Sequence, residues 1–408
     1  MAFNGVPVQV DQYSRFYANF LDEKEYIFEP TAFQAFFGRP ENGGQTIMSP
    51  NALDIDIDIS RGNERTAAYV PRGTGGKFMG SLHADGQIGQ MTTISRKFPL
   101  IEEDFNLGAH QLLARVPGEG PYEGRDQQSR LRFLATRGYK ELVRRIVRFQ
   151  EVLAVQSITT GIQSASSLTD TTVNIFDFRR SAANTPALTH GWGNAAGTPL
   201  TDLDALCDQV LSAGHIIPNF AVFGGITNRM FMANQQVSTN FANKLYFELV
   251  RFGLDEQPGQ EFERFVKAGF VAYGRLKTPK GYELTIFTYP RMYTNAAGVI
   301  TTKYFNDTGC LLGSTNSRCD RYFGPPERLE PTSIDIQKRM ERYGFNPMVP
   351  PLPQNIMDPG AVILPQEFYV DDFESNDHKT TGLRVQAAPI FAPNMTDTWG
   401  YMLPGVAT

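Results

Sequence analysis

Residues 126–160 read DQQSRLRFLATRGYKELVRRIVRFQEVLAVQSITT. At 100° per residue, Tyr139, Leu142, Val143, Ile146, Phe149 and Leu153 fall on one side of a helix, with Arg137, Lys140, Arg144 and Arg148 opposite. At about 1.5 Å per residue an unbroken helix here runs roughly 50 Å, longer than most globular helices. Gly161 follows as a C-cap. Gly138, which costs about 1 kcal/mol against alanine, reads as a permitted bend near the foot of the cationic face. The segment holds no histidine, no cysteine, no paired carboxylates and no phosphate-binding glycines. It reads as a strut with one apolar and one cationic face, a part for building rather than for catalysis.

Upstream of the strut the pattern changes from helical to alternating. Ala52–Ser60 (ALDIDIDIS) has a strict period of two, the mark of a strand with one wet face, and Thr66–Val70 continues it. Six glycines crowd residues 71–90, and Met91–Leu100 alternates again. Together these predict a long two-stranded excursion with a mobile tip. Such a hairpin is marginal alone in water and needs a partner surface. Residues 1–45 read as an arm in which Phe33, Phe36 and Phe37 form a short aromatic helix closed by Gly38.

Downstream, residues 161–200 are rich in Ser, Thr, Asn and Ala. Thr201 is placed to cap a helix whose Leu203, Leu206, Cys207, Val210 and Leu211 make an apolar stripe ending at Gly214. A strand is expected at Ala221–Phe223, and helices at Thr227–Asn234 and Asn240–Phe252. Strands are expected at Val271–Leu276 and Tyr282–Tyr289 around a Pro279-Lys280-Gly281 turn. Val299–Phe305 and Cys310–Ser314 complete a mixed α+β unit. Asn346–Pro365 is proline-rich and extended. Gly382–Phe391 and Thr398–Leu403 are closing strands.

With 408 residues the chain can form two domains and a core that needs no disulfides. Apolar residues at 41% and charged residues at 20% are globular values. A net charge of -5 makes any basic surface local. Thirty phenylalanines and sixteen tyrosines suit surfaces buried between chains or in several small cores. Three cysteines without C-x-x-C spacing fit a reducing compartment. The first residues lack the pattern of a secretory signal, and no stretch approaches about 18 uninterrupted apolar residues. The expectation is a protein made in the cytoplasm, without a membrane segment.

The chemical motifs are weak ones. Asp54, Asp56 and Asp58 lie in a row along a strand rather than around a point, so a solvated face outweighs a cation site. Gly73-Thr74-Gly75-Gly76-Lys77 lacks the Ser or Thr and the earlier glycine of a phosphate loop. His83, His110, His190, His215 and His378 are dispersed, and no Gly-x-Ser-x-Gly elbow exists. Cys207 lies on an apolar stripe. Cys319, between Arg318 and Asp320, has no base near it in sequence. No catalytic, metal or cofactor-binding residue is expected. The cationic helix face has three readings: a solvated surface, a neighbour's contact for the acidic Glu102-Glu103-Asp104, or a contact for DNA phosphates.

The order of these parts resembles the tailed-bacteriophage major capsid proteins, in particular the phage lambda major head protein (E-type) family. The matching residues are Phe28-Glu29-Pro30-x-x-Phe33-x-x-Phe36-Phe37, the acidic Glu102-Glu103-Asp104 ahead of an arginine-rich helix, and Ala221-Val222-Phe223. Leu312-Gly313-Ser314-Thr315 before Arg321-Tyr322-Phe323-Gly324, and Gln386-Ala387-Ala388-Pro389, match as well. The resemblance implies an α+β, Hong Kong 97-like capsid fold. It implies an N-terminal arm at 1–53, an extended loop at 54–102, a peripheral domain at 103–199 with a spine helix at 126–160, an axial domain at 200–365, and returning C-terminal strands at 366–408. The implied function is a non-enzymatic head protein that assembles into hexamers and pentamers of an icosahedral shell around double-stranded DNA, in a virion put together in the host cytoplasm. It implies as partners a scaffolding protein, a portal, a decoration protein, and DNA held without sequence preference, with no membrane and no cofactor. The subunit contacts expected are Phe33, Phe36, Phe37, Arg72, Lys77, Glu102, Glu103, Asp104, Arg137, Lys140, Arg144 and Arg148. The alternatives are an encapsulin-like compartment shell, which shares the fold, and a cytoplasmic hydrolase using scattered residues such as Cys319 and His215.

Overall fold

The computed structural model describes residues 31–48, 54–60, 91–97, 100–106, 127–166, 173–243, 248–251, 260–294, 302–324, 368–374 and 381–405. The strut is one helix, α1 (Gln127–Thr160), continuous through Gly138. It stops where expected. Gly161 takes a φ of 71°, a left-handed conformation that suits a residue without a Cβ. Arg180 then covers the exposed end, its Nη1 donating to the Thr159 carbonyl at 2.6 Å and its Nη2 to the Ile158 carbonyl.

Among the described residues, four strands precede α1: β1 (Thr46–Met48), β2 (Asp54–Ser60), β3 (Met91–Lys97) and β4 (Ile101–Asn106). β2 and β3 form the base of the predicted hairpin, in antiparallel register from Asp54↔Lys97 to Ser60↔Met91. The period of two is realised as read. Ile55, Ile57 and Ile59 are buried with Phe176, Phe178, Tyr322, Ile390 and Ala392, while Asp58 is exposed. The base of the hairpin is therefore covered by its own chain and needs no partner there. Residues 61–90, with Thr66–Val70 and the glycine-rich tip, lie outside the described residues, as does Asn346–Pro365.

After α1 come a hairpin, β5 (Ile162–Ser166) and β6 (Val173–Asp177), and a helix, α2 (Pro199–Gly214). Then follow β7 (Phe220–Phe223), α3 (Gly225–Ala233), α4 (Gln235–Asn243), β8 (Glu248–Arg251), α5 (Gln260–Ala268), β9 (Val271–Lys277) and β10 (Glu283–Thr288). The remaining strands are β11 (Met292–Tyr293), β12 (Thr302–Lys303), β13 (Cys310–Gly313), β14 (Asp320–Phe323), β15 (Tyr369–Glu374), β16 (Thr381–Ala387), β17 (Pro389–Ala392) and β18 (Gly400–Met402). A six-stranded mixed sheet in the order β18-β13-β7-β10-β9-β8 organises this half. Smaller sheets, β15-β16-β4 and β1-β14-β17, tie the ends of the chain to the segments before α1 and after β13.

The six-stranded sheet separates two cores because its side chains alternate. Phe220, Val222, Phe287 and Leu311 face a cluster with Leu153, Ala154, Val155 and Ile158 of α1. Ala221, Phe223, Ile286 and Leu312 face Leu203, Leu206 and Cys207 of α2. Both faces are buried, so β7 and β13 are apolar throughout rather than alternating in polarity.

Several expectations change. The helix after residue 198 begins at Pro199, whose fixed φ suits the first helical position, so Thr201 lies inside the first turn instead of capping it. The helix expected over Asn240–Phe252 ends at Asn243, and Glu248–Arg251 is edge strand β8, paired with β9. An available sheet edge outweighs local propensity there. Gly382–Phe391 is two strands in two sheets. β16 pairs with β4 and β15, whereas β17 pairs with β14. The division falls at Pro389, which has no N–H to extend a ladder. Of Val299–Phe305, only Thr302 and Lys303 form strand among the described residues. The strut itself is two-faced only in part. From Gln150 to Thr159 only Val152 and Gln156 are even partly exposed, so its last turns run through the core.

Candidate functional site

The residues that could support catalysis are placed against it. Cys207, Cys310 and Cys319 are free and buried. Burial pushes the Cys319 thiol well up, with Asp320 adding to the effect, and its other polar neighbours are Trp399 and Arg39 rather than a histidine. His215 instead takes a φ of 55° at the end of α2, where its N–H donates to the Leu211 carbonyl. The structure does not assemble the Cys319–His215 pairing. Among the described residues no group of three or more His, Cys, Asp or Glu could hold a metal ion. Among them, too, no helix is long and apolar enough to cross a membrane.

The expected contact residues divide into two sets. Phe33, Phe36 and Phe37 do form a short turn, the 3₁₀ segment Gln34–Phe36. They are not presented to a neighbour, because all three are buried in this chain's own cores. Phe33 lies 5.2 Å from Phe270 and 5.4 Å from Tyr289, ring to ring. Phe36 lies 4.5 Å from Phe265, 5.2 Å from Phe220 and 5.3 Å from Trp399. Phe37 meets Phe391 at 5.1 Å. The expectation that these rings wait for another subunit is corrected. The aromatic spacing showed the turn, but spacing alone does not say whose core it enters.

A buried carboxylate fixes the turn. Glu151 of α1 accepts the Phe33 N–H at 2.8 Å on Oε1 and the Gln34 N–H at 3.2 Å on Oε2. Tyr289 donates its hydroxyl to Oε1 at 3.0 Å, and the Gln34 side chain donates to the Val147 carbonyl at 3.0 Å. Helix periodicity puts Glu151 on the same side as Lys140 and Arg144, and the sequence analysis did not single it out. The missed signal is that no charged residue follows it in the helix.

The acidic trio sits in β4, in register with β16 as Glu103↔Val385 and Asp104↔Arg384. Arg384 donates to Asp104 at 2.9 Å and 3.2 Å and reaches Glu102 at 3.0 Å. Gln386 donates to Glu102 at 2.7 Å, and Arg145 lies 3.4 Å from Glu103. Arg148 pairs with Glu141 at 3.6 Å. The trio is therefore met within the chain, by Arg145 and Arg384, neither of which the sequence singled out. These groups are partly exposed, so each pair contributes only about 0–1 kcal/mol. Lys140, Arg144 and Arg148 are half-buried beside them. Arg72, Lys77 and the side chain of Arg137 lie outside the described residues.

Among the described residues the arrangement is one of an arm turn and a hairpin base packed around a doubly covered sheet, without a cluster of metal-ligating groups. Comparison with known proteins agrees. The family model described as phage major capsid protein E matches residues 51–399. The chain is 25% identical over 312 residues to the major capsid protein of Enterobacteria phage P21, covering 74% of this chain and 80% of that protein. The same values hold for the P21 prophage-derived major head protein of Escherichia coli O6:H1 strain CFT073. Among solved structures, the capsid protein of prophage from E. coli CFT073 superposes with a TM-score of 0.60 at 15% identity, covering 96% of this chain and 98% of that one.

Proposed function

The chain belongs to the phage major capsid protein E family and is the major capsid protein of a phage, and on that premise we propose that its copies assemble as hexamers and pentamers of an icosahedral shell enclosing double-stranded DNA. The family and the relatives are structural proteins, so no catalytic step is assigned. The encapsulin-like and hydrolase readings give way to the family match, which spans 51–399 and carries the reading.

In this reading 1–53 is the arm, 54–102 the extended loop, 103–199 the peripheral domain, 200–365 the axial domain, and 366–408 the returning strands. The boundary at 102/103 is better moved to about 100, because it cuts through β4. The described geometry supports a division of labour. The arm turn and the hairpin base are held by the chain's own cores. What reaches a neighbour is then the part of the loop beyond Ser60 and Met91, with Arg72 and Lys77 on it. Lys140, Arg144 and Arg148 on α1 are proposed to meet a neighbour or the packaged DNA. A scaffolding protein, a portal and a decoration protein are the further partners proposed.

The test is deletion of residues 72–90. The shortened chain is expected to stay soluble and folded, because the β2–β3 base keeps its isoleucine contacts, and to form no shells. Normal shells from this variant would remove the loop from the proposal.

A further inference from the structure

Glu151 is a buried carboxylate with no cation beside it among the described residues. Both its oxygens are covered by backbone amides of the arm turn, from Phe33 and Gln34, so unseating the turn opens the carboxylate to water. Among the described residues of the arm, the only other polar group acting on it is the neutral Gln34 side chain, which also donates to the Val147 carbonyl. The end of β10 brings Tyr289, whose own charged or titratable neighbours are Tyr304 and Arg291. On α1 itself, Arg148 one turn back is engaged with Glu141. These donors stabilise an ionised carboxylate, but they offset only part of the loss of hydration.

We propose that Glu151 is a proton-operated latch for the N-terminal arm: protonated, it leaves the Thr31–Phe37 turn seated in the core, and ionised, it favours release of the turn so that the carboxylate can be hydrated. Burial pushes the Glu151 carboxyl up to about 7 in spite of the pull of its donors, from an ordinary value of 4.5. Seating the turn therefore takes up a proton. The sign follows: seating is strongest below pH 4.5 and is lost progressively as pH rises through 7. Between pH 6 and pH 8 the seating equilibrium is expected to weaken about tenfold. The arm would thus be held or freed by proton uptake without any change in the sheet beneath it.

Hydrogen exchange of the full-length chain at pH 6 and pH 8, corrected for intrinsic exchange, reads this directly. Protection of amides in residues 31–38 should fall about tenfold relative to β7 amides in the wild type. In Glu151→Gln it should not change with pH. Tyr289→Phe removes a donor that favours the ionised form, so the midpoint should move to higher pH. The latch is overturned if wild-type arm protection follows β7 at both pH values, or if E151Q keeps the wild-type response. Should E151Q fail to fold, Y289F decides: a midpoint that stays in place or moves down overturns the proposal equally.

Discussion

Truncation of Phe36 separates an arm that belongs to its own chain from one that serves a neighbour. Phe36 is 4% exposed and its ring contacts Phe265, Phe220, Phe270, Trp399 and Phe33, the first at 4.5 Å between centroids. Phe36→Ala removes that ring from a close-packed aromatic cluster. Loss of its transfer free energy plus the cavity left behind is expected to destabilise the unassembled chain by about 3–5 kcal/mol. With a denaturant slope of about 3 kcal/mol per molar urea, the unfolding midpoint should fall by roughly 1 M or more. The two tryptophans provide the assay. Trp399 lies in the Phe36 cluster and Trp192 in the α2 cluster, so a Trp192→Phe background makes fluorescence report the arm's core alone. A midpoint unchanged in F36A, with shell formation lost, would refute the reasoning and return the arm to the subunit interface.

Three further outcomes test other parts of the account. All three cysteines are buried and their thiols are pushed up in pKa, chiefly by burial, so a thiol reagent at neutral pH should label none in the folded chain and three after denaturation; rapid labelling of Cys319 in the folded chain would contradict this. Gly313→Ala would place a Cβ 2.6 Å from the Trp399 ring and 2.9 Å from Phe220, and thermal unfolding should show a loss of about 1–3 kcal/mol or more; wild-type stability would show that the sheet does not pack there as described. Arg180→Ala leaves the Thr159 and Ile158 carbonyls without the guanidinium donor and removes the attraction between Arg180 and Asp397. It should cost about 2–4 kcal/mol, and lysine, which cannot reach both carbonyls, should restore little.

Legibility in the sequence followed the locality of the forces. α1, its stop at Gly161, the β2 alternation and the Pro279-Lys280-Gly281 turn depend on spacing and on backbone freedom at single residues, and they stand where the pattern put them. What could not be read depends on partners distant in sequence. β8 is a strand because β9 offers it an edge, and α1 loses its two-faced character where the sheet and arm close around it. The ion pairs show the same limit. Charge patterning named Arg144 and Arg148 beside the acidic trio, but strand register brings Arg384 to Asp104, and Arg145 is the helix residue at Glu103. α5 went unread although Phe262 and Phe265 carry helical spacing, because two rings over nine residues are too short a pattern.

The most direct test of the central claim is the size of what the full-length chain forms by itself or with its scaffold. Sedimentation and negative-stain microscopy of the expressed protein should show closed shells of megadalton scale built from hexameric and pentameric units. A chain that stays folded under those conditions but sediments only as a monomer or small oligomer would contradict it.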